Sequence, residues 1–419
     1  SESTSLESHP THDDFRPLHE SIHMMRRFRG RPLKLWTILL AGLTVGRTVS
    51  ADDQPQWGQQ FSRNMVSPET GLPDDCDPET GRNIRWTVPL GSQAFASPII
   101  AQGRVLIGTN NGAPQDPRHQ GDRGVLLCLN AADGSLLWQL VVPRLLGEDG
   151  YLDQPNIGFC SPPTVEGNRV YVVTNRSEVV CLDLHGQYDG NDGPYLDEGQ
   201  HMVQPGEPPL EVTARDADII WIYDLIGSAG IHPHDSPHSS ILIDGRYLYL
   251  NTGNGVDHRD PSRTFIPQPE APSLIVLDKY TGRLVAQDDE RIGTRLLHGQ
   301  FSSPSLARVG DKTLVLYAGG DAVLYAFEPV GSGESGRQTL PATADGTRSV
   351  RASNGGRNSL PVSSGVALLG TPSSVGAETH TMPLLGVPSS ATLLVADVLQ
   401  AEVNSALVAR KRPWSGRKP

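Results

Sequence analysis

Aromatic side chains make up only 6% of this 419-residue chain, and cysteine occurs four times. The apolar run from Leu35 to Val45 has eleven residues, whereas a membrane-spanning helix needs about 20. No glycine loop of the phosphate-cradling kind and no nucleophile elbow is present, and Gly253-Asn254-Gly255 reads as a turn. Positive charge is also scarce where it would matter. Of the net charge of −12, residues 1–51 contribute +2 (seven basic, five acidic) and residues 333–419 contribute +4 (nine basic, five acidic), leaving −18 between them. A body that acidic repels phosphate backbones, so nucleic acid is excluded as a partner.

What the chain has instead is repetition. The first copy runs Phe95-Ala96-Ser97-Pro98, Gln102-Gly103, Val105-Leu106-Ile107, Val125 to Asn130, Asp133-Gly134 and Trp138. The second has Phe159-Cys160-Ser161-Pro162, Glu166-Gly167, Val170 to Val173, Val179 to Asp183 and, after a long insertion, Trp221. The third offers Ser239-Ser240, Asp244-Gly245, Tyr247 to Leu250, Leu274 to Asp278 and Thr281-Gly282; the fourth Phe301 to Pro304, Gly310, Leu314 to Tyr317 and Val323 to Glu328. Short β-branched and aromatic runs broken by glycine turns predict strands and hairpins. Each copy is therefore a four-stranded antiparallel unit, strands a to d. Such a sheet is apolar on both faces, so copies must stack face to face, and the predicted fold is an all-β propeller of about four blades.

Within that frame, Leu129-Asn130-Ala131-Ala132-Asp133-Gly134-Ser135-Leu136-Leu137-Trp138 resembles the tryptophan-docking repeat of the pyrroloquinoline-quinone (PQQ) propellers. Leu277 to Gly282 matches it up to Ala286, where the family has tryptophan. Asp216 to Trp221, His234 to Ser240 and Thr252 to Asp257 are similar to exported, planctomycete-type members of this group, which includes quinoprotein dehydrogenases and the scaffold protein BamB. The resemblance implies that Trp86, Trp138, Trp221, Asp133, Gly134, Asp278, Thr281 and Gly282 are structural docking residues. It also implies a ring of seven or eight blades. The fourth copy stops after strand c at Glu328-Pro329, so the expectation is an incomplete ring with two blade faces open, through a shifted frame or a truncation. Asn83 to Val88, with Trp86, looks like a strand d that would seal the last blade or close a four-bladed ring.

The ends differ in kind from the blades. Arg26, Arg27, Arg29, Arg31 and Lys34 precede the apolar run, and Val49-Ser50-Ala51 offers small residues at a cleavage-like position. Residues 1–51 are thus an N-terminal extension and signal peptide, residues 52–332 the propeller, and the mature chain is expected in the periplasm, cell envelope or outside the cell without a transmembrane helix. Residues 333–419 hold no Phe or Tyr and one Trp. Such a segment buries too little apolar surface to offset its ordering entropy and is expected to be disordered.

Placed on the blades, the polar residues gather. His234 lies five residues before Ser239 and His298 five before Ser303; Ser92 and Asn156 take the same place in the first two copies. All lead into strand a, expected to be innermost, and the b-to-c loops with Asn110, Asn111, Asn175, Asn254, Asp257 and His258 open on the same face. The candidate ligand residues at this channel mouth are Asn156, His232, His234, Asp235, His238, Asn254, Asp257 and His298. His232-Pro233-His234-Asp235 with His238 is the sharpest group, since rings two residues apart on an extended chain point the same way. The competing reading, loop side chains bonding backbone, outweighs metal binding, and no metal is assigned. The Asp189 to Glu198 loop departs from the Ca²⁺-loop spacing and reads as solvated. Cys128 and Cys181 hold equivalent strand-c positions about 10 Å apart, too far for a disulfide, and read as core. Cys76 and Cys160 stay open.

Two functions follow. One is a non-catalytic binding or scaffolding module like BamB, taking envelope proteins or a small ligand at the channel mouth. The other, implied only by the resemblance, is a PQQ- and Ca²⁺-dependent alcohol or sugar dehydrogenase. The adjacent cysteine pair of many such dehydrogenases is absent, as are a placeable stacking tryptophan and ion-ligand set, so the binding module ranks first and no cofactor is assigned.

Overall fold

The computed structural model describes residues 52–146, 154–262, 264–309 and 311–331, and the backbone alone at 348–350 and 392–395. The signal-peptide reading of residues 1–51 and most of the 333–419 reading lie outside the described residues. Strand β1 (Trp86–Pro89) precedes three complete four-stranded antiparallel sheets. Blade 1 is β2 (Ile99–Ala101), β3 (Arg104–Asn110), β4 (Arg123–Asn130) and β5 (Leu136–Pro143). Blade 2 is β6 (Thr164–Glu166), β7 (Arg169–Val173), β8 (Glu178–Asp183) and β9 (Ile219–Asp224); blade 3 is β10 (Leu242–Asp244), β11 (Tyr247–Asn251), β12 (Leu274–Asp278) and β13 (Leu284–Asp288). Blade 4 has three strands, β14 (Ser305–Val309), β15 (Lys312–Ala318) and β16 (Leu324–Phe327). Two short strands complete the described residues: β17 (Arg348–Val350) runs parallel to β13, and β18 (Thr392–Val395) runs antiparallel to β1.

Alternation along each strand sends side chains to both faces, and the apolar residues form seams between successive sheets. Leu106, Leu126, Cys128, Trp138 and Leu140 of blade 1 pack with Phe159, Val170, Val172, Val180 and Leu182 of blade 2. Tyr171, Val179, Cys181 and Trp221 meet Leu248, Leu250, Ile275 and Leu277 of blade 3. Tyr249, Val276 and Ala286 meet Val315, Tyr317, Tyr325 and Phe327 of blade 4. Face-to-face stacking of four-stranded antiparallel sheets is the build of a β-propeller, with four blades here. The far side of blade 1 is covered by Trp86, Val88 and Leu90. On blade 4, Val309, Val323 and Leu324 are exposed.

The docking tryptophans lie between neighbouring sheets. Trp86 donates its indole N–H to Ala131 O at 3.0 Å, Trp138 to Leu184 O at 2.9 Å and Trp221 to Lys279 O at 3.2 Å. Each reaches the carbonyl just past strand c of the next sheet. Gly134 and Gly282, both left-handed, lie under these rings, and a Cβ there would come within 2.6 Å of Trp86 and 2.5 Å of Trp221. Asp278 accepts from the backbone N–H groups of Tyr280 and Thr281 and from Thr281 Oγ1, and Asp133 plays the same part for Ser135. The c–d ladder shifts register at Cys128/Leu129, Cys181/Leu182 and Val276/Leu277, so three sheets carry a bulge at the same point. Just before it Cys128 faces Trp138 and Cys181 faces Trp221, while Val276 faces Ala286 where tryptophan is replaced.

All four cysteines are free, Cys76 exposed and the others buried. Burial pushes the Cys128 and Cys181 thiols up to about 12, as expected of inert core groups. β1 does not complete blade 4; it pairs with β18 while its Trp86 docks on blade 1.

A feature without sequence signal crosses the first strands. Ile100 N–H donates to Gln54 O at 3.1 Å, Val165 N–H to Pro55 O at 2.7 Å and Leu306 N–H to Phe61 O at 2.7 Å. Residues 54–63 thus form a strap that satisfies edge groups of blades 1, 2 and 4. The buried guanidinium of Arg63 pins the strap through Trp57 O at 3.0 Å, Pro304 O at 3.1 Å and Ser240 O and Oγ, both at 3.2 Å. Burial holds its pKa down at about 10.

Candidate functional site

The segments leading into strand a meet the b-to-c loops, as the repeat alignment predicts, but the chemistry differs between the two halves of the row. In blade 1 the link is made of amides. Asn110 Oδ1 accepts from Ser92 N–H at 2.8 Å and Gly112 N–H at 2.9 Å, while its Nδ2 donates to Ser92 Oγ at 2.8 Å and to Asn156 O. Every polar position of Asn110 is thereby used. Asn156 is itself exposed, left-handed at φ 59°, and donates its N–H to Asp122 Oδ2 at 2.8 Å. It is a connector, remote in role from the histidines with which it was grouped.

Between blades 3 and 4 the link is made of imidazoles. His234, 2% exposed, approaches Val256 O through Nδ1 at 3.0 Å and His298 Nε2 through Nε2 at 2.9 Å. Its ring stacks on His258 at a centroid separation of 4.2 Å and 12°, and meets His298 edge-on at 4.2 Å and 76°. Asp235 places Oδ2 at 3.6 Å from His234 Nε2 and Oδ1 at 3.0 Å from His258 Nε2. Two glycines permit this crowding: a Cβ at Gly255 would lie 2.6 Å from His234 Cβ, and one at Gly299 would lie 2.7 Å from its Cδ2. Burial, more than the charges nearby, pushes His234 down to about 4, so the ring is neutral at pH 7. A carbonyl only accepts, so Nδ1 of that neutral ring carries the proton and Nε2 presents its lone pair.

The grouping expected along the chain is therefore replaced by one formed across it. Asp235 is left-handed at φ 58°, which breaks the extended period on which the pairing of His232, His234 and His238 relied. His232 is half-buried and sends its N–H to Asn254 Oδ1 at 2.9 Å; His238 packs edge-on against Phe301 at 5.0 Å. Desolvation lowers the pKa of both. Asn254, fully buried, holds loops together by donating to Gln268 O at 2.9 Å. Asp257 grips the Arg259 guanidinium at 2.7 Å and 3.0 Å, which holds its carboxyl down at about 2. His258, on the b-to-c loop, is the member that sequence reasoning placed on the right face and did not choose. Its one signal was the Gly-Asn-Gly turn just before it, where glycine lets backbone press against His234.

Three groups of metal-ligating side chains occur among the described residues, and each contains an imidazole. In Asp116, His119 and Asp216, the Arg118 guanidinium already spans both carboxylates, at 2.7 Å and 3.0 Å. In Asp183, His185 and Asp189, the last is exposed and the contacts are 3.3 Å and 3.7 Å. In His234, Asp235 and His258 the ligating atoms lie within 4.8 Å of one another. None of these donor sets fits Ca²⁺, which takes six to eight oxygens.

The stacked four-stranded sheets with docked tryptophans define a propeller built of PQQ-like repeats. Residues 78–263 match the family model for outer membrane protein assembly factor BamB, so this stretch is a PQQ-like, BamB-like repeat segment. No curated protein matches the chain. Among solved structures, quinohemoprotein alcohol dehydrogenase from Comamonas testosteroni is similar at 10% identity and a TM-score of 0.40, over 66% of this chain and 39% of that one. BamB from Moraxella catarrhalis is similar at 15% identity and a TM-score of 0.23, over 58% of this chain and 61% of that one. This chain thus spans about two fifths of the dehydrogenase. No helix among the described residues is long and apolar enough to cross a membrane.

Proposed function

We propose that this chain is an exported binding or scaffolding module, a PQQ-like propeller whose ligand or envelope partner is received where the strand-a segments meet the b-to-c loops of blades 3 and 4. The observation that carries the reading is the imidazole cluster of buried His234 with half-buried His258 and His298, on a frame whose docking tryptophans are all consumed in packing. Trp86, Trp138 and Trp221 are buried with Gly134, Gly186 and Gly282 pressed against their rings, so none of the three offers a free face for a flat cofactor. The match of residues 78–263 to the BamB model supports the same reading.

One residue favours the alternative, a PQQ- and Ca²⁺-dependent alcohol or sugar dehydrogenase. Trp57 is a half-buried indole on the strap across the first strands and has no docking role. Anaerobic titration of the full chain with PQQ and Ca²⁺, followed by absorbance and dye-linked alcohol oxidation, separates the two. The binding module gives no turnover; saturable PQQ binding with alcohol oxidation overturns it.

A further inference from the structure

Blade 4 and β1 each lack what the other has. Among the described residues β16 pairs with β15 alone, so blade 4 has strands a to c and an open edge. The chain does not fold back along that edge: Val330 N–H donates to Tyr249 Oη at 2.8 Å, which carries the backbone onto blade 3. The face beside the edge is unfinished too. Leu324 is 67% exposed, whereas the equivalent residues of blades 1 to 3, Leu126, Val179 and Leu274, are 0, 0 and 3% exposed beneath the next sheet. β1 is the converse, a strand that belongs to none of the four blades. Its Trp86 docks on Ala131 O at 3.0 Å by the same bond with which Trp138 and Trp221, both on strand d, dock on the sheet after their own.

We propose that β1 of one copy is the missing strand d of blade 4 in a second copy, and reciprocally, so that two copies close head to tail into one ring. The registers agree. Strand b places Leu106 opposite Cys128 and Leu316 opposite Ala326, so Ala326 holds the place of Cys128. Cys128 and Leu126 face Trp138 and Leu140 on strand d. By the same count Ala326 and Leu324 call for a tryptophan followed two residues later by an aliphatic side chain, and β1 supplies Trp86 and Val88. That edge of β1 already takes a strand in the orientation of strand c, since β18 lies antiparallel along it with Val395 opposite Trp86 and Leu393 opposite Val88. β18 has no further neighbour, and an isolated two-stranded ribbon is marginally stable in water, so a three-stranded sheet arriving from a second copy displaces it. The union pairs the open edge of β16 and covers Leu324. It is a heterologous contact, which ends only if the rotation closes. Four blades from each copy make eight, the upper end of the usual range for propellers, and three copies would exceed it. The inference goes beyond the binding-module reading and does not depend on what that module binds.

The test is sedimentation of the full chain over a range of concentrations, joined to cross-linking across the proposed seam. A discrete species of two chains is expected. Leu324→Glu sets a charge on a residue already exposed in the single copy, so far-ultraviolet circular dichroism should be unchanged while self-association weakens at least about 10-fold. Directly opposite residues on paired strands lie close enough to be bridged. In a Cys76→Ser background, which removes the exposed native thiol, Val88→Cys combined with Leu324→Cys should therefore give a disulfide between chains on mild oxidation, and neither substitution alone should do so. A single-chain mass at every concentration, a ladder of ever larger species, or equal association in the Leu324→Glu variant overturns the two-copy ring. A Val88→Cys to Leu324→Cys disulfide within one chain overturns it as well, because β1 would then seal its own blade 4.

Discussion

The first and last pairs of blades use the same backbone frame for opposite purposes. Before blade 1, Ser92 and Asn110 close on each other with every donor and acceptor matched. Before blades 3 and 4, the equivalent position carries His234 and His298, which meet each other, His258 and Asp235. A satisfied amide knot contributes to folding and has nothing left to offer a ligand. An imidazole knot is built of rings that can take up or release a proton, which an amide knot cannot. The contrast marks out the functional end of the row more sharply than any single histidine does.

Five substitutions would break or sharpen this comparison. The largest effect belongs to the seam on which both knots hang. Trp138→Ala empties a fully buried indole from between blades 1 and 2 and should cost about 3 to 5 kcal/mol in chemical denaturation; an unchanged midpoint would remove the docking assignment. Next comes the amide knot itself. Asn110→Ala strands the N–H groups of Ser92 and Gly112 and should cost about 2 to 3 kcal/mol.

A third measurement probes a buried carboxylate outside both knots. Asp218 is fully buried, with Oδ1 lacking a donor, and burial raises its pKa to about 6, helped by the charges of Glu198 and Asp183. The folded state therefore holds a proton that the unfolded chain releases near 3.8. Its contribution to stability is complete below pH 4 and is lost as pH rises through about 6. Asp218→Asn should flatten the fall in stability over that window, and an unaltered pH profile would reject the assignment. The smallest expected effect is on the imidazole side. His298→Ala should change stability by less than about 1 kcal/mol, well below the Asn110 result. His234→Ala is not equally mild. An open channel position would make it so, but the ring is buried between Gly255, Gly299 and His258, and its loss should cost about 2 kcal/mol.

Much of the architecture was legible in the chain because strand periodicity and glycine turns are local. Gly134 and Gly282 announced where an indole would rest, and Cys128 and Cys181 were read as core from their equivalence in the repeat. The site was legible only as a face. Repeat alignment put His234, His298 and the b-to-c loops together, yet it ranked His232 and His238 over His258, since pairing along the chain ignored the left-handed turn at Asp235. The strap from Gln54 to Arg63 had no pattern at all, because edge hydrogen bonds to Ile100, Val165 and Leu306 use backbone atoms that every residue carries.

The sequence by itself determined the repeating sheet, its two apolar faces and its docking points, for these depend on side-chain period and on glycine where no other residue fits. Tertiary structure decided which polar groups became neighbours. Imidazoles on segments 24 to 64 residues apart share one small volume only after the third and fourth sheets have stacked. Hydrogen bonds at atomic distance, and nothing in the order of residues, show that Asn110 is satisfied and that Asp235 turns back onto His258.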